Sequence, residues 1–248
     1  MTGKAYNLVR WTFYGRVLPD LPTISLQLPK HRSESNLGFS FELSGHVHQS
    51  KIIAFVSQLS QVDIFTLRNA VMDDVQGSVD LACFLTGAGL DVDLTSAASD
   101  DGAWQIFDAF IPTLRSDGEI SIPYELVAAV GGDVPAHIML ADFREAMRVP
   151  RQTGFFCYRA IESAMQAFKN ASTTTDGEAW VAMRSALRVD EKAVRRVKVH
   201  ADWARHGRPG SLTDETRVML FHTTRSIIHR YLNFLVAGRQ PLADELLE

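Results

Sequence analysis

The sequence predicts an α+β protein: an N-terminal antiparallel sheet carrying one or two helices, then an all-helical bundle. Two observations carry this expectation. Apolar residues alternate with polar ones at period two in several stretches before Pro150, and recur every three or four residues after it. Charge divides the same way. To Pro150 there are ten Lys/Arg against eighteen Asp/Glu, net −8, and beyond it fifteen against eleven, net +4. The expected domains are residues 1–150 and 151–248, joined near "AMRVPRQTG", where Pro150 disfavours helix at Val149.

In the N-terminal part, "VRWTFYGRVL" and "TISLQL" read as strands separated by Pro19 and Pro22. "GFSFELSGHVHQ" sets Phe39, Phe41, Leu43, Gly45 and Val47 against Ser40, Glu42, Ser44, His46 and His48, the pattern of a half-buried strand. "QSK" then turns the chain and "IIAFVSQ" returns it. Ile64, Leu67, Val71, Val75, Val79 and Ala82 predict a helix, with Asp63 as N-cap and Gly87 and Gly89 closing it. "LDVDLTSA" reads as a strand, "GAWQIFDAFIPTLRS" as a second short helix and "GEISIP" as another short strand.

The C-terminal part reads as helices throughout. Phe156, Ala160, Ile161, Ala164, Met165 and Phe168 form one apolar stripe, and "NASTTTDGEA" is a polar loop. A second stripe runs through Trp180, Met183, Leu187, Val194, Val197 and Ala201 until "GRPG" stops it. Thr213 is the expected N-cap of a final helix presenting Leu220, Ile227, Ile228, Tyr231, Leu232, Phe234 and Leu235. The apolar residues of that helix cover more than one face, more than a single packed side requires. This predicts a second covering surface, a homodimer among the possibilities.

With 248 residues, 46% hydrophobic and 22% charged, the chain is composed like an ordinary globular protein. The opening residues lack the apolar core of a signal peptide, and no apolar run approaches the roughly 18 residues of a membrane span. Cys83 and Cys157 lie far apart with no paired spacing, as expected of buried thiols in a reducing compartment. The expectation is therefore a cytoplasmic protein without membrane partners.

The usual phosphate-loop, dinucleotide, esterase and zincin signatures are all missing, so no cofactor is expected. His46 and His48 share a strand face, and such a pair can hold a metal. No third ligand stands at suitable spacing, so the pair reads as a solvated face and no metal site is assigned. Asp73 and Asp74 diverge on their helix, and Asp100 and Asp101 sit in a turn-like Ser-Asp-Asp-Gly context.

The basic stretch from Arg184 to Arg208 is the richest in chemistry, with eight Lys/Arg and three Asp/Glu. Arg184, Arg188, Lys192, Arg195 and Arg196 recur near one helical turn apart, a ridge able to track phosphates. With Lys198 and Arg208, the residues Arg188, Lys192 and Arg195 are the candidate RNA contacts. Arg196 and His200 are four apart, as are Asp202 and His206, so the acid could orient the imidazole or raise its pKa.

From about Phe155 to Val236 the chain resembles the HEPN superfamily of small helical bundles, common among nucleases and toxins. The likeness rests on "YRAIESAMQAF", "AWVAMRSAL", a helix ending in "ADWARHGRPG", and a long final helix. Members commonly carry an Arg, a polar residue, several further residues and a catalytic His, often followed by Gly. His206 and Gly207 match the end of that pattern and Asp202 the polar position, but Ala201 stands where the Arg belongs. A second match, Arg195 with His200, lacks the glycine. The resemblance implies pairing of two copies, and either of two activities. In one, His206 with Asp202 and a neighbouring Arg205 or Arg196, or His200 from the second match, would cut RNA without metal. In the other, the bundle would be a catalytically weak or silent module that dimerises, binds RNA or binds a partner. The N-terminal domain would then recognise something else, a partner protein being one possibility.

Overall fold

The computed structural model describes residues 9–35, 37–107, 122–170, 175–206, 212–243 and 245–247, without the side chains of Trp203 and Ala204. The architecture is α+β, and it divides between Ala109 and Phe110 rather than at Pro150.

The first unit is a six-stranded antiparallel sheet. Its strands are β1 (Arg10–Leu18), β2 (Ser25–Glu34), β3 (Ser40–His48), β4 (Lys51–Gln58), β5 (Asp91–Ser99) and β6 (Trp104–Ile106), in the order β2-β3-β4-β1-β5-β6. Period-two patterning puts Phe13, Phe41, Leu43, Val47, Ile52, Ala54 and Leu94 on one buried face. The helix α1 (Ile64–Thr86) covers that face through Leu67, Val71, Val75 and Val79. Asp63 caps α1 by accepting from the Thr66 amide at 2.8 Å, and Gly87 ends it at φ 73°. The expected turn after β3 places Gln49 and Ser50 at φ 48° and 62°. Ser50 is held there by two hydrogen bonds with the Leu21 backbone.

One element differs from expectation. Trp104–Ile106 is not helical but forms the edge strand β6 against β5. Its aromatic and β-branched side chains suit a pleated surface, and Trp104 stacks on Tyr14 across the sheet. The rest of the expected helix and most of "GEISIP" fall in 108–121, outside the described residues.

The second unit holds α2 (Tyr124–Gly131), α3 (Val134–Arg148), α4 (Thr153–Gln166), α5 (Asp176–Leu187), α6 (Glu191–Arg205) and α7 (Asp214–Val236). Neither α2 nor α3 belongs with the sheet. Asp133, at the N-cap of α3, accepts from the Ala136 amide at 2.7 Å, from the Tyr231 hydroxyl at 3.0 Å and from Arg239 at 2.6 Å. That network ties α3 to α7. Pro150 starts a single 3-10 turn between α3 and α4, so it marks a corner within the bundle rather than a domain boundary.

The stripe from Trp180 to Ala201 is not one helix. Arg188 adopts the left-handed conformation (φ 55°, ψ 50°), and Val189 forms a parallel bridge with Leu247. Asp190 then accepts from the Lys192 amide at 2.7 Å where α6 starts. The α5 start has a full capping box between Thr175 and Glu178. No single described helix is long and apolar enough to cross a membrane; α2 and α3 reach that composition only as a pair bent by 105°.

Candidate functional site

Ala193, Val194, Val197 and Ala201 bury one side of α6, leaving Lys192, Arg195, Arg196, Lys198 and Arg205 outside. At about 100° per residue, Arg196 and Arg205, nine apart, lie about 180° from each other around the helix. His200 falls on the Arg196 flank. Its backbone meets α4 at Gly154, where an added Cβ would collide with the His200 carbonyl. Burial at this crossing holds the His200 imidazole below its ordinary pKa, favouring the neutral form.

On the opposite flank, Arg205 pairs with Glu162 of α4, its Nη2 3.3 and 3.4 Å from the two carboxylate oxygens. Lys198 lies over the Tyr158 ring at 6.0 Å, and that ring stacks on Trp180. Burial, with the Glu162 charge second, pushes the Tyr158 phenol up to about 12. Asp202 and His206 are joined through backbone, the His206 amide donating to the Asp202 carbonyl at 3.1 Å. His206 sits just past the last helical residue and is exposed, while Gly207 and Arg208 lie outside the described residues. Ala201, 1% exposed, faces the interior, so an Arg there would have no route to substrate.

The catalytic candidates Arg196, His200, Asp202, Arg205 and His206 are therefore spread over both flanks of α6. The α7 residues Ile227, Ile228, Tyr231 and Phe234 are buried within the unit itself. α7 contacts each of α2 to α6, which accounts for these four residues, while Leu232 and Leu235 are half-buried.

The break at Arg188 assembles a different site. Instead of a straight ridge, Arg184, Arg188, Lys192 and Arg195 surround an open cleft of about 620 Å³ where α5 meets α6. Glu191 lies between two of these cations, 3.6 Å from Arg184 and also paired with Arg195. Val181, Val189 and Leu246 supply apolar wall. The cleft is braced from behind by the segment after α7. Leu242 donates to the Ala186 carbonyl at 2.8 Å and Leu247 to Arg188 at 2.9 Å, while Asp190 donates to Leu247 at 2.8 Å. Arg230 of α7 donates to the Leu187 and Arg188 carbonyls and to Glu245. These bonds fill the acceptors left open at the end of α5. Four cations against the Asp190 and Glu191 carboxylates make the cleft suited to phosphate oxygens.

Sequence reasoning named the four cations but missed Glu191 and the bracing segment. The signal was present in "RVDE": a β-branched residue, then an acid able to cap, interrupting the stripe. Elsewhere, His46 and His48 lie on the outer face of β3, and no group of three metal-capable side chains occurs among the described residues. Asp74 accepts from Ser33 and His31 of β2, a structural role. Asp101 accepts from Ser99 and from the Ala103 amide, bonds that hold its carboxyl below the usual range.

Two family models match, described as the N-terminal and C-terminal domains of a domain of unknown function, DUF8168, over residues 11–107 and 125–236. The chain belongs to the DUF8168 family. The DUF8168 N-terminal match runs from β1 to just past β6, and the C-terminal match from the start of α2 to the end of α7. The family's two domains thus divide as the two units do. No curated protein and no solved structure matches the chain.

Proposed function

We propose that the helical unit is a HEPN-like module that holds RNA by its phosphates without cutting it. The observation that carries this reading is the cleft ringed by Arg184, Arg188, Lys192 and Arg195. Arginine forks and a lysine around one opening can share the oxygens of successive phosphates. Cleavage needs a cation on the phosphate beside a proton-transfer group. Here the motif position of the Arg is a buried Ala201. A cytoplasmic location accompanies this reading, and fractionation of tagged protein checks it.

The test is fluorescence anisotropy of the full chain with labelled single-stranded RNA over a salt series. Binding should weaken linearly in log salt, and Arg188→Ala or Lys192→Ala should each lower the slope by about 1. Unchanged affinity and slope in both variants would remove the cleft from the reading. Metal-independent cleavage abolished by His206→Ala would establish a ribonuclease instead.

A further inference from the structure

The outer face of the sheet, opposite α1, carries an exposed aromatic band. The register places Phe55 of β4 beside Thr12 of β1, Thr12 beside Ala98 of β5, and Ala98 beside Trp104 of β6. The adjacent row runs His46, Ile53, Tyr14, Ser96 and Ile106. Phe55 is 50% and Trp104 58% exposed, and Trp104 stacks on Tyr14 with centroids 5.7 Å apart. Large aromatics on the solvent face of an antiparallel sheet do nothing for its core, since all the packing against α1 is on the other side.

Charge says what such a band would accept. The unit as a whole is acidic, but α1 carries Asp73, Asp74 and Asp80 on the other side of the sheet. On the outer face, Glu42 is paired with Lys30 and Asp93 with Arg16. Arg10 and Lys51 make no ion pair among the described residues. Lys51 is registered with Arg16, six residues along β1 from Arg10, so the two uncommitted cations bracket the band at about 20 Å. Aromatic rings between separated cations fit a chain with stacking faces along its length and negative charge at intervals.

We infer that this face is a stacking platform for single-stranded nucleic acid, its bases lying on Phe55 and the Tyr14–Trp104 pair and its phosphates drawn to Arg10 and Lys51. Base–aromatic stacking tolerates any base, so the platform would read single-strandedness rather than sequence. It lies within the sheet unit alone and does not depend on the cationic cleft.

The experiment uses the full chain carrying Arg188→Ala and Lys192→Ala, so that binding through the cleft is separated. Probes are a 12-nucleotide oligouridine, an RNA duplex of equal length, and heparin, which has charge but no bases. Phe55→Ala and Trp104→Ala should each weaken oligouridine binding on the order of ten-fold, leave heparin unchanged, and be rescued by Phe55→Tyr and Trp104→Phe. Oligouridine should also quench tryptophan emission, and less so in Trp104→Phe. Circular dichroism of each variant should match that of the parent chain, as expected for substitutions at exposed positions. Equal binding of duplex and single strand, oligouridine affinity unchanged in both alanine variants, or a face that captures only a protein, would overturn the platform.

Discussion

Gly154 is where the helical unit tolerates least. The α4 backbone passes so close to the His200 carbonyl that an added methyl has no space. Neither side can retreat easily, because both are helix backbone. Gly154→Ala should destabilise the protein by about 1–3 kcal/mol, read from the midpoint of chemical denaturation. His200 at the same crossing makes stability depend on pH. Its folded pKa is depressed by burial, so the unfolded chain takes up a proton first as pH falls through the ordinary histidine value of about 6.5. That uptake favours unfolding: the contribution is fully present above that value and is lost as pH falls toward the folded pKa. His200→Gln should flatten this acid-side decline in a pH series of melting curves, and an unaltered decline would assign it elsewhere.

At the scale of elements, local chemistry was legible where a capping residue or strict alternation sat beside the pattern. Asp63 and Gly87 bound α1 as the sequence implies, and the β3–β4 hairpin follows its alternation. Two elements were not legible. The three-residue strand β6 pairs with β5 across the Ser99–Ala103 turn, and its apolar residues are too few to show the period that separates a strand from a short helix. The α5–α6 break was easy to miss because Leu187 and Val194 keep one helical phase across it, so only the short Val-Asp-Glu interruption after a left-handed Arg188 marks it. The site shared that fate: the cations could be named, but their arrangement as a cleft follows from the break. Asp133 shows how much one cap can carry. Asp133→Ala removes the α3 cap and strands the Tyr231 hydroxyl, so a loss of about 1–3 kcal/mol is expected in thermal unfolding. Tyr231→Phe, which leaves the cap in place, should cost less.

For the whole molecule, moving the boundary changes the meaning of its charge. To Ala109 there are seven Lys/Arg and twelve Asp/Glu, and beyond it eighteen and seventeen, so the units carry −5 and +1. The strong contrast read from Pro150 arose because the acidic 110–150 stretch was assigned to the sheet. The basic character is therefore local to the α5–α6 region, as a binding cleft requires, and not a property of half the chain. Each unit has its own buried interior, so unfolding should show two transitions in calorimetry. Leu67→Ala should lower one and Met183→Ala the other, each by about 2–5 kcal/mol.

The segment that braces the cleft is held mainly through its main chain. Leu242 and Leu247 contribute amides, Glu245 and Leu247 contribute carbonyls, and several of its side chains lie open to water. A stretch attached in this way is largely indifferent to the identity of its residues, apart from Leu246 on the cleft wall. Its spelling should drift freely among relatives while its path stays fixed, with one residue barred. Proline has no amide hydrogen to give, so positions 242 and 247 should be the two places in the segment where it never settles.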